Sequence, residues 1–274
     1  LMGRLFVVAT PIGNLEDLTH RAARVLRMVP LIAAEDTRTT GKLLAHYQIE
    51  TPLISFHDHS RSRQVELLID KLRQGDLALV SDAGTPGIND PGYSLIQAAL
   101  AEDLPVIPIP GPSAPVAALS VSGLPTDSFL YLGYLPRKSK KRQEQLAKLS
   151  AQPYTLIFLE SPHRLLASLQ DLIEIFGSRQ ITIGREMTKL HEEFFRGTLP
   201  EALVHFRANP PRGEFTLVVQ GADPEAQRWT REQVERALLR ARESERSASQ
   251  IARELADQSG WERRTLYDLL NQLT

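Results

Sequence analysis

The most informative stretch of this chain is residues 77–92, which read Leu-Ala-Leu-Val-Ser-Asp-Ala-Gly-Thr-Pro-Gly-Ile-Asn-Asp-Pro-Gly. The first four form a continuous apolar run, which is typical of a strand that a parallel sheet buries on both faces. The rest is rich in glycine, proline and aspartate and predicts a loop at the carboxyl end of that strand, where open α/β sheets bind ligands. An ordinary turn is the alternative, because Asp-Pro-Gly and Thr-Pro-Gly are common turn formers.

Apolar strand segments alternate with helical periodicity on both sides of this stretch. The first unit predicts parallel strands at residues 5–9, 31–34, 53–56, 77–80 and 105–108. A second unit predicts strands at 129–132, 155–159, 180–185, 193–196 and 215–219, and the close spacing of the later ones indicates a mixed sheet. The sequence therefore predicts an α/β protein with domains at 1–122 and 126–222, divided where glycine and proline cluster.

Residues 228–274 form a separate helical tail in this interpretation. Ser247-Ala248-Ser249-Gln250 has the form of a capping box, and the helix that it opens ends at Ser259-Gly260. Two helices around a glycine turn resemble a helix-turn-helix, in which Arg263 and Arg264 would meet phosphate. A plain helical hairpin packed on the body or on a partner subunit is the alternative, and the near-balanced charge of the tail favours it.

The composition limits the classes of function. The chain has 274 residues, 42% of them hydrophobic, and a formal net charge of −1, so it can bury a large core but has no global basic field. Any contact with nucleic acid must therefore use a local patch, and we expect no DNA partner. The absence of cysteine excludes disulfides and thiolate nucleophiles. We find neither a signal peptide nor a long apolar span, and expect a cytoplasmic protein that does not contact the membrane.

Four motifs in order carry a family resemblance. They are Ala9-Thr10-Pro11-Ile12-Gly13-Asn14-Leu15, Ala34-Glu35-Asp36-Thr37-Arg38, the loop after residue 80, and Pro110-Gly111-Pro112-Ser113-Ala114. Together they resemble the tetrapyrrole-methylase-like superfamily and, more narrowly, the bacterial 16S ribosomal RNA 2'-O-ribose methyltransferases that act on a cytidine. The resemblance implies the two-domain tetrapyrrole methylase fold, S-adenosylmethionine as cofactor, 16S ribosomal RNA or the 30S subunit as partner, and a homodimer.

The same resemblance implies a cofactor folded into a cleft between the two domains. The residues expected to line it are Pro11, Asp82, Ala83, Gly84, Thr85, Ile88, Pro112, Ser113, Ala114, Phe158 and Leu159. S-adenosylmethionine needs backbone polar groups, carboxylates and apolar walls, and these loops offer all three. The first loop lacks the G-x-G-x-x-G fingerprint, so we do not expect a dinucleotide site.

Methyl transfer to a ribose hydroxyl is an in-line displacement that depends on alignment and on removal of the hydroxyl proton. The candidate proton acceptors are Glu35, Asp36, His57, Asp58, His59, Glu160 and Glu186. We favour Asp36 and Glu160 as catalytic residues because both follow apolar strands. The alternatives are that Asp36 caps a helix and that Glu160 pairs with Arg164. His57-Asp58-His59 lacks a third ligand at a recognisable spacing, so we expect no metal.

A basic run follows the first strand of the second unit and reads Arg137-Lys138-Ser139-Lys140-Lys141-Arg142. Its density predicts phosphate contacts and RNA binding that weakens with salt, with a solvated surface loop as the alternative. Arg185 and Lys189, with Arg196 and Arg212, would extend this surface. A tetrapyrrole-type small-molecule methyltransferase is the alternative enzyme, and a ribosome-binding module without catalysis is the alternative outside enzymes.

Overall fold

The structure is a computed structural model that describes residues 3–56, 61–90, 92–223, 229–242 and 246–273. It contains two five-stranded sheets followed by a helical tail. This arrangement agrees with the α/β class predicted from the alternation of strands and helices. No helix in the described ranges is both long and apolar enough to cross a membrane.

The first sheet is entirely parallel, with the strand order β3-β2-β4-β1-β5. The strands are β1 (Leu5–Val8), β2 (Leu31–Ala34), β3 (Leu53–Ser55), β4 (Leu77–Val80) and β5 (Val106–Ile109). Each lies within a residue or two of its predicted position, because a strand buried on both faces has an uninterrupted apolar sequence.

Helices cover both faces of this sheet. They are α1 (His20–Met28), α2 (Thr37–His46), α3 (Arg61–Gln74), α4 (Gly92–Ala101) and α5 (Ala114–Ser120). Successive side chains of β4 enter opposite cores, because strand side chains alternate. Val80 packs with α1 and α2, whereas Leu77 and Leu79 pack with α3 and α4. All the strand ends that carry the predicted motifs therefore meet at one edge of the sheet.

The second sheet is mixed, as predicted, with the order β6-β7-β10-β8-β9. Its strands are β6 (Phe129–Tyr134), β7 (Thr155–Glu160), β8 (Gln180–Arg185), β9 (Glu193–Thr198) and β10 (Phe215–Val219). Only β6 and β7 pair in parallel; the other pairs are antiparallel. The helices of this unit are α6 (Ser139–Leu149), α7 (Pro162–Phe176) and α8 (Leu199–Ala208). The basic run thus leads into the first turn of α6 and does not form a free loop.

Helix α5 connects the two units. Ala118 and Leu119 of this helix are buried against Ile157, Met187 and Val218 of the second unit. An apolar contact of this kind holds the carboxyl edge of the first sheet against one face of the second sheet. The loops that follow β1, β2, β4 and β5 therefore face the second domain.

The tail consists of α9 (Arg231–Arg242), α10 (Ala248–Ser259) and α11 (Arg263–Gln272). The predicted capping box is present at the start of α10, where Ser247 and Gln250 bond reciprocally. Gly260 ends the helix with a φ of 69°, a left-handed conformation that glycine adopts at little cost. The apolar core of the tail is built from tail residues alone, so these helices pack first on one another.

Candidate active site

The glycine-rich loop after β4 is held in a defined shape. Gly84 and Gly87 have φ values of 79° and 85°, a region that favours glycine. Thr10, after β1, and Gly84 exchange two backbone hydrogen bonds of 2.9 and 3.0 Å. Asp90 Oδ1 accepts bonds from the amides of Gly87 and Gly92 at 2.7 and 2.8 Å. The loop is therefore a preformed wall and not a simple chain reversal.

This wall and the second sheet enclose a cavity of about 250 Å³, called here the donor cavity. Eight of the residues expected to hold the cofactor line it: Asp82, Ala83, Gly84, Thr85, Ile88, Ser113, Ala114 and Leu159. They come from three separate segments of the chain, which the two domains bring together. The structure thus places most of the predicted cofactor residues around one space between the domains.

Three other predicted residues lie elsewhere. The carbonyl of Pro112 accepts a 3.3 Å bond from Thr85 Oγ1, so this residue is hydrogen-bonded to the glycine-rich loop that forms the wall. Pro11 lines a neighbouring cavity. Phe158 is fully buried in the core of the second domain and does not reach the donor cavity. Adjacent strand residues point to opposite faces, so the side chain of Leu159 faces the cavity and that of Phe158 faces the core.

Two tyrosines of β6 line the donor cavity and were missed in the sequence. The hydroxyl of Tyr131 accepts a 2.8 Å bond from Asn89 Nδ2, a direct bridge between the domains. Partial desolvation raises the pKa of both Tyr131 and Tyr134 above the ordinary value of 10.0, and Tyr134 is still 56% exposed. The glycine at position 133 was the signal in the sequence for this close contact. Its φ is 62°, and a Cβ there would lie 2.2 Å from Asn89 Nδ2.

Carboxylates link the ends of β2 and β4. Asp82 Oδ1 accepts a 3.0 Å bond from the amide of Asp36, and Glu35 Oε2 accepts a 3.2 Å bond from the amide of Asp82. Partial desolvation raises the pKa of Asp82 above its ordinary value, although the residue is exposed to solvent. The hydrogen bond from the Asp36 amide opposes this effect, and the negative charge of Asp36 adds to it. Glu35 and Asp82 both line the donor cavity.

Asp36 has the structural role that was the alternative for it. Its Oδ1 accepts a 2.8 Å bond from the amide of Arg38 at the start of α2, and its Oδ2 pairs with the Arg38 guanidinium at 2.7 Å. The hydrogen bond from the Arg38 side chain is the largest cause that lowers the pKa of Asp36 to about 2. A carboxylate with so low a pKa is a weak proton acceptor near neutral pH.

Glu160 likewise has a structural role. Its side chain is wholly buried, and its Oε2 accepts bonds from Ser168 Oγ at 2.5 Å and from Arg164 Nη2 at 3.2 Å. It therefore joins the end of β7 to α7 and is not among the residues that line the donor cavity, although its strand partner Phe215 is. The sequence could not distinguish this from an active-site carboxylate, because both follow a strand.

A second cavity of about 450 Å³, called here the acceptor cavity, adjoins the donor cavity. The two share a wall formed by Ile12, Ser81, Asp82, Ala83 and Glu214. The acceptor cavity also contains Lys42 and Lys189. Lys189 Nζ pairs with Glu186 and Glu214 at 3.0 Å each, and a Cβ on Gly13 would lie 2.4 Å from Lys189 Cγ. Gly13 is thus required for the close approach of Lys189 from the second domain.

The predicted basic surface is retained in part. Arg137, Lys138, Lys140 and Lys141 are exposed. Arg142 is buried, with 3% of its surface exposed, and its Nε donates to Asp171 Oδ2 at 2.6 Å. The structure therefore corrects the assignment of Arg142 to the RNA surface, because its guanidinium faces α7.

Of the remaining candidates, Arg212 is exposed, Arg185 is paired, and three lie outside the described residues. Arg185 pairs with Glu193 at 2.9 Å and is partly buried. His57, Asp58 and His59 lie outside the residues that the structure describes. Within the described ranges, no group of three histidine or acidic side chains could hold a metal ion.

The donor cavity fits S-adenosylmethionine in its chemistry. Glu35, Asp82 and Glu214 supply carboxylates for a sulfonium cation, an amino group or ribose hydroxyls. Ile88, Leu159 and Met187 supply apolar surface for the adenine. The carboxylates and apolar side chains that line the donor cavity are therefore suited to a cationic, amphipathic nucleoside.

Solved structures with the same fold support this interpretation of the architecture. The cobalamin biosynthetic enzyme cobalt precorrin-4 methyltransferase superimposes with a TM-score of 0.60 at 14% identity, over 79% of this chain and 94% of its own. A uroporphyrin-III C-methyltransferase from Thermus thermophilus, solved with S-adenosylhomocysteine, gives 0.55 at 19% identity, over 79% and 97%. The fold thus defines the structural class, the two-domain α/β architecture that these solved structures share.

The sequence comparisons give the family. The profile of the tetrapyrrole (corrin/porphyrin) methylases matches residues 4–203. A protein of Synechocystis sp. named ribosomal RNA small subunit methyltransferase I is 50% identical over 275 residues, 99% of each chain. A protein of the same name from Escherichia coli O157:H7 is 49% identical over 223 residues, 80% of this chain and 78% of that one.

The chain belongs to the tetrapyrrole methylase family, within the group of relatives named ribosomal RNA small subunit methyltransferase I. This membership confirms the resemblance found in the four motifs. It also confirms the predicted fold class and the enzyme class, a methyltransferase.

Proposed function

We propose that this protein transfers the methyl group of S-adenosylmethionine to the 2'-hydroxyl of a cytidine ribose in 16S ribosomal RNA of the small subunit. Use of this methyl donor agrees with the family membership. The observation that carries the choice of acceptor is the 50% identity, over 99% of both chains, to a relative named for the small-subunit ribosomal RNA.

The donor cavity is our proposed cofactor site. S-adenosylmethionine supplies an electrophilic methyl group when bound. The glycine-rich loop provides a fixed wall, since it is bonded to Thr10 and closed by Asp90. The bridge from Asn89 to Tyr131 keeps the second domain against that wall. A wall fixed before binding lowers the entropic cost of orienting the donor.

The acceptor cavity is our proposed site for the target nucleotide. It adjoins the donor cavity through a shared wall, so a ribose placed there would face the donor. A base within a folded RNA must leave its stack to enter such a cavity. Lys42 provides positive charge for the phosphates of that nucleotide, whereas the charge of Lys189 is taken up by Glu186 and Glu214.

Asp82 is our proposed proton acceptor for the 2'-hydroxyl, in place of Asp36 and Glu160. It lines both cavities, so its carboxylate lies where donor and acceptor would meet. Its raised pKa makes it a stronger base than Asp36, whose pKa is about 2. The amide of Asp36 holds Oδ1 of Asp82 and orients the carboxylate.

The exposed cations near the start of α6 are our proposed RNA contact outside the cleft. Arg137, Lys138, Lys140 and Lys141 follow β6, whose Tyr131 and Tyr134 line the donor cavity. Phosphate contacts at this position would hold the RNA against the mouth of the cleft without reading its sequence.

We also propose a homodimer that acts in the cytoplasm on ribosomal RNA or on the 30S subunit. Helix α4 leaves Tyr93 and Leu100 exposed at 59% and 57%, seven positions apart and so on one face of the helix. Light scattering on the full chain tests the proposed dimer directly.

A tetrapyrrole methyltransferase is the second candidate, because the solved structures with this fold are named for cobalamin and porphyrin substrates. One assay separates the two. The protein and labelled S-adenosylmethionine are incubated with each of three acceptors in separate reactions. The acceptors are 30S subunits from cells lacking the protein, protein-free 16S RNA from the same cells, and a uroporphyrin-type tetrapyrrole. The proposal expects label in the RNA, and label in the tetrapyrrole alone would favour the second candidate.

A further inference from the structure

The helical tail lies outside the methylase unit. The family profile ends at residue 203, whereas the tail helices occupy 231–272. A relative of the same name from Thermotoga maritima is 48% identical and is matched over 100% of its own length by 81% of this chain. A fifth of this chain thus has no counterpart in that relative. The tail lies beyond the matched profile, and none of its residues lines the donor or the acceptor cavity.

A groove of about 570 Å³ runs between α9 and α10, and it is larger than the donor cavity of about 250 Å³. Its floor is apolar and is formed by Trp229, Ala237, Ala241, Ile251 and Leu255. The position of Trp229 is fixed by its backbone: its amide donates to the carbonyl of Ser259 at 2.9 Å, and its carbonyl accepts a 2.7 Å bond from Trp261 Nε1. The groove therefore presents a partly buried aromatic ring at a defined place.

The rim of the groove is positively charged. Arg236 and Arg240 are exposed and lie one helical turn apart on α9. Neither has a carboxylate partner among the described residues. Arg246 stands on the rim as well and pairs with Glu254. The described residues that line the groove thus carry three guanidinium groups and one carboxylate. Their net charge is positive, so the complementary ligand is a polyanion.

We propose that this groove binds an unpaired segment of RNA, with phosphates on Arg236 and Arg240 and a base against Trp229. Sites for single-stranded nucleic acid combine cations along the backbone with aromatic faces on which bases stack, and the groove has both. The inference rests on the proposed function in taking ribosomal RNA as the partner. The tail is then an anchor that holds RNA away from the catalytic cleft.

Tryptophan fluorescence of the full chain reports on this groove, because the chain contains two tryptophans and both belong to the tail. The probe is a single-stranded oligouridylate of about 12 nucleotides, within the usual site size. Titration into the protein is expected to quench the fluorescence in a saturable way. Arg236→Ala with Arg240→Ala is expected to weaken the binding seen by quenching about tenfold and to reduce the slope of log K against log salt by about 1.4, since each phosphate contact on a single strand contributes about 0.7.

The matched control is Arg253→Ala, which removes one charge from an exposed position of α10 outside the groove. It is expected to leave quenching and salt slope near those of the unmodified protein. Equal losses in the control and the double variant would overturn the proposal, as would RNA binding without quenching. Quenching by an acidic peptide but not by RNA would also overturn it, because it would make a protein the occupant.

Methyl transfer measured on the same preparations separates this inference from the proposed function. Quenching by RNA in a protein that methylates no ribosomal RNA would contradict the proposed function and leave the groove assignment intact. Methylation of 30S subunits by a protein whose tryptophans do not respond to RNA would contradict the groove assignment alone.

Discussion

Asp82 Oδ1 accepts a hydrogen bond from the backbone amide of Asp36 at 3.0 Å, which ties the loop after β4 to the loop after β2. The two aspartates are therefore neighbours, but their pKa values are shifted in opposite directions. Partial desolvation raises the pKa of Asp82, whereas the side chain of Arg38 lowers that of Asp36 to about 2. In a pair of carboxylates whose pKa values are pushed apart, the more basic one is suited to accept a proton.

Asp82→Asn is expected to lower kcat by about 10²- to 10⁴-fold, because the amide keeps the shape but accepts no proton. The folded protein should remain, since Asn can still accept the bond from Asp36. Single-turnover methyl transfer at saturating donor and RNA measures the effect. A variant with unchanged kcat would contradict the assignment of Asp82.

The same variant has a defined effect on stability. The folded-state pKa of Asp82 is raised, so its contribution to stability is present below the ordinary value of 3.8 and is lost as pH rises through the folded-state pKa. The stability of the unmodified protein relative to Asp82→Asn should therefore decrease as pH increases from that value. Urea denaturation of both proteins across this range measures the trend.

Asp36→Ala is expected to lower the Tm because it removes the cap of α2 and the ion pair with Arg38. Asp36→Asn should restore much of the Tm, since Asn also caps helices, and should change kcat far less than Asp82→Asn does. The folded-state pKa of Asp36 is lowered, so its stabilisation is present above 3.8 and is lost as pH falls toward 2. Loss of activity in Asp36→Asn as large as in Asp82→Asn would restore Asp36 as the base.

Gly133→Ala is expected to weaken cofactor binding, because its Cβ would displace Asn89 and break the bridge to Tyr131. Gly123→Ala is the matched control: its φ of 76° imposes similar strain, but a Cβ there meets no atom within 4 Å. Both variants should lose about 1–2 kcal/mol of stability from the left-handed backbone. Calorimetric titration with S-adenosylmethionine should show a higher Kd for Gly133→Ala only, and equal Kd values would contradict the role of the bridge.

Arg142→Ala is expected to destabilise the protein by about 3–5 kcal/mol, because it leaves Asp171 buried without its partner. Lys140→Ala with Lys141→Ala should leave stability unchanged and reduce the salt slope of RNA binding, since both side chains are exposed. Chemical denaturation and RNA titration on the two proteins distinguish the roles. A stable Arg142→Ala protein with reduced salt slope would return Arg142 to the RNA surface.

The first sheet could be predicted because the residues of each strand and of the loop that follows it determine their own conformation. β4 is a continuous apolar run, and the glycines that follow it adopt the positive φ values that their chemistry permits. The cluster of loops around the donor cavity follows from parallel topology, which gathers the carboxyl ends of the strands at one edge.

The orientation of single side chains could not be predicted in the same way. In β7, Phe158 and Leu159 are both apolar and the strand is covered on both faces, so periodicity does not tell which one faces the cavity. Arg142 resembles its basic neighbours in sequence, but its partner Asp171 is 29 positions away on α7. Asp36 and Glu160 follow strands as an active-site carboxylate would, and only their partners reveal structural roles.

Methyl transfer to a cytidine ribose of 16S ribosomal RNA is tested on 30S subunits from cells that lack this protein. They are incubated with the protein and labelled S-adenosylmethionine, the RNA is digested to nucleosides, and the labelled nucleoside is identified by mass. We expect 2'-O-methylcytidine, with greatly reduced label for Asp82→Asn. Label on a base, or no label in RNA from a protein that binds the donor, would contradict this expectation.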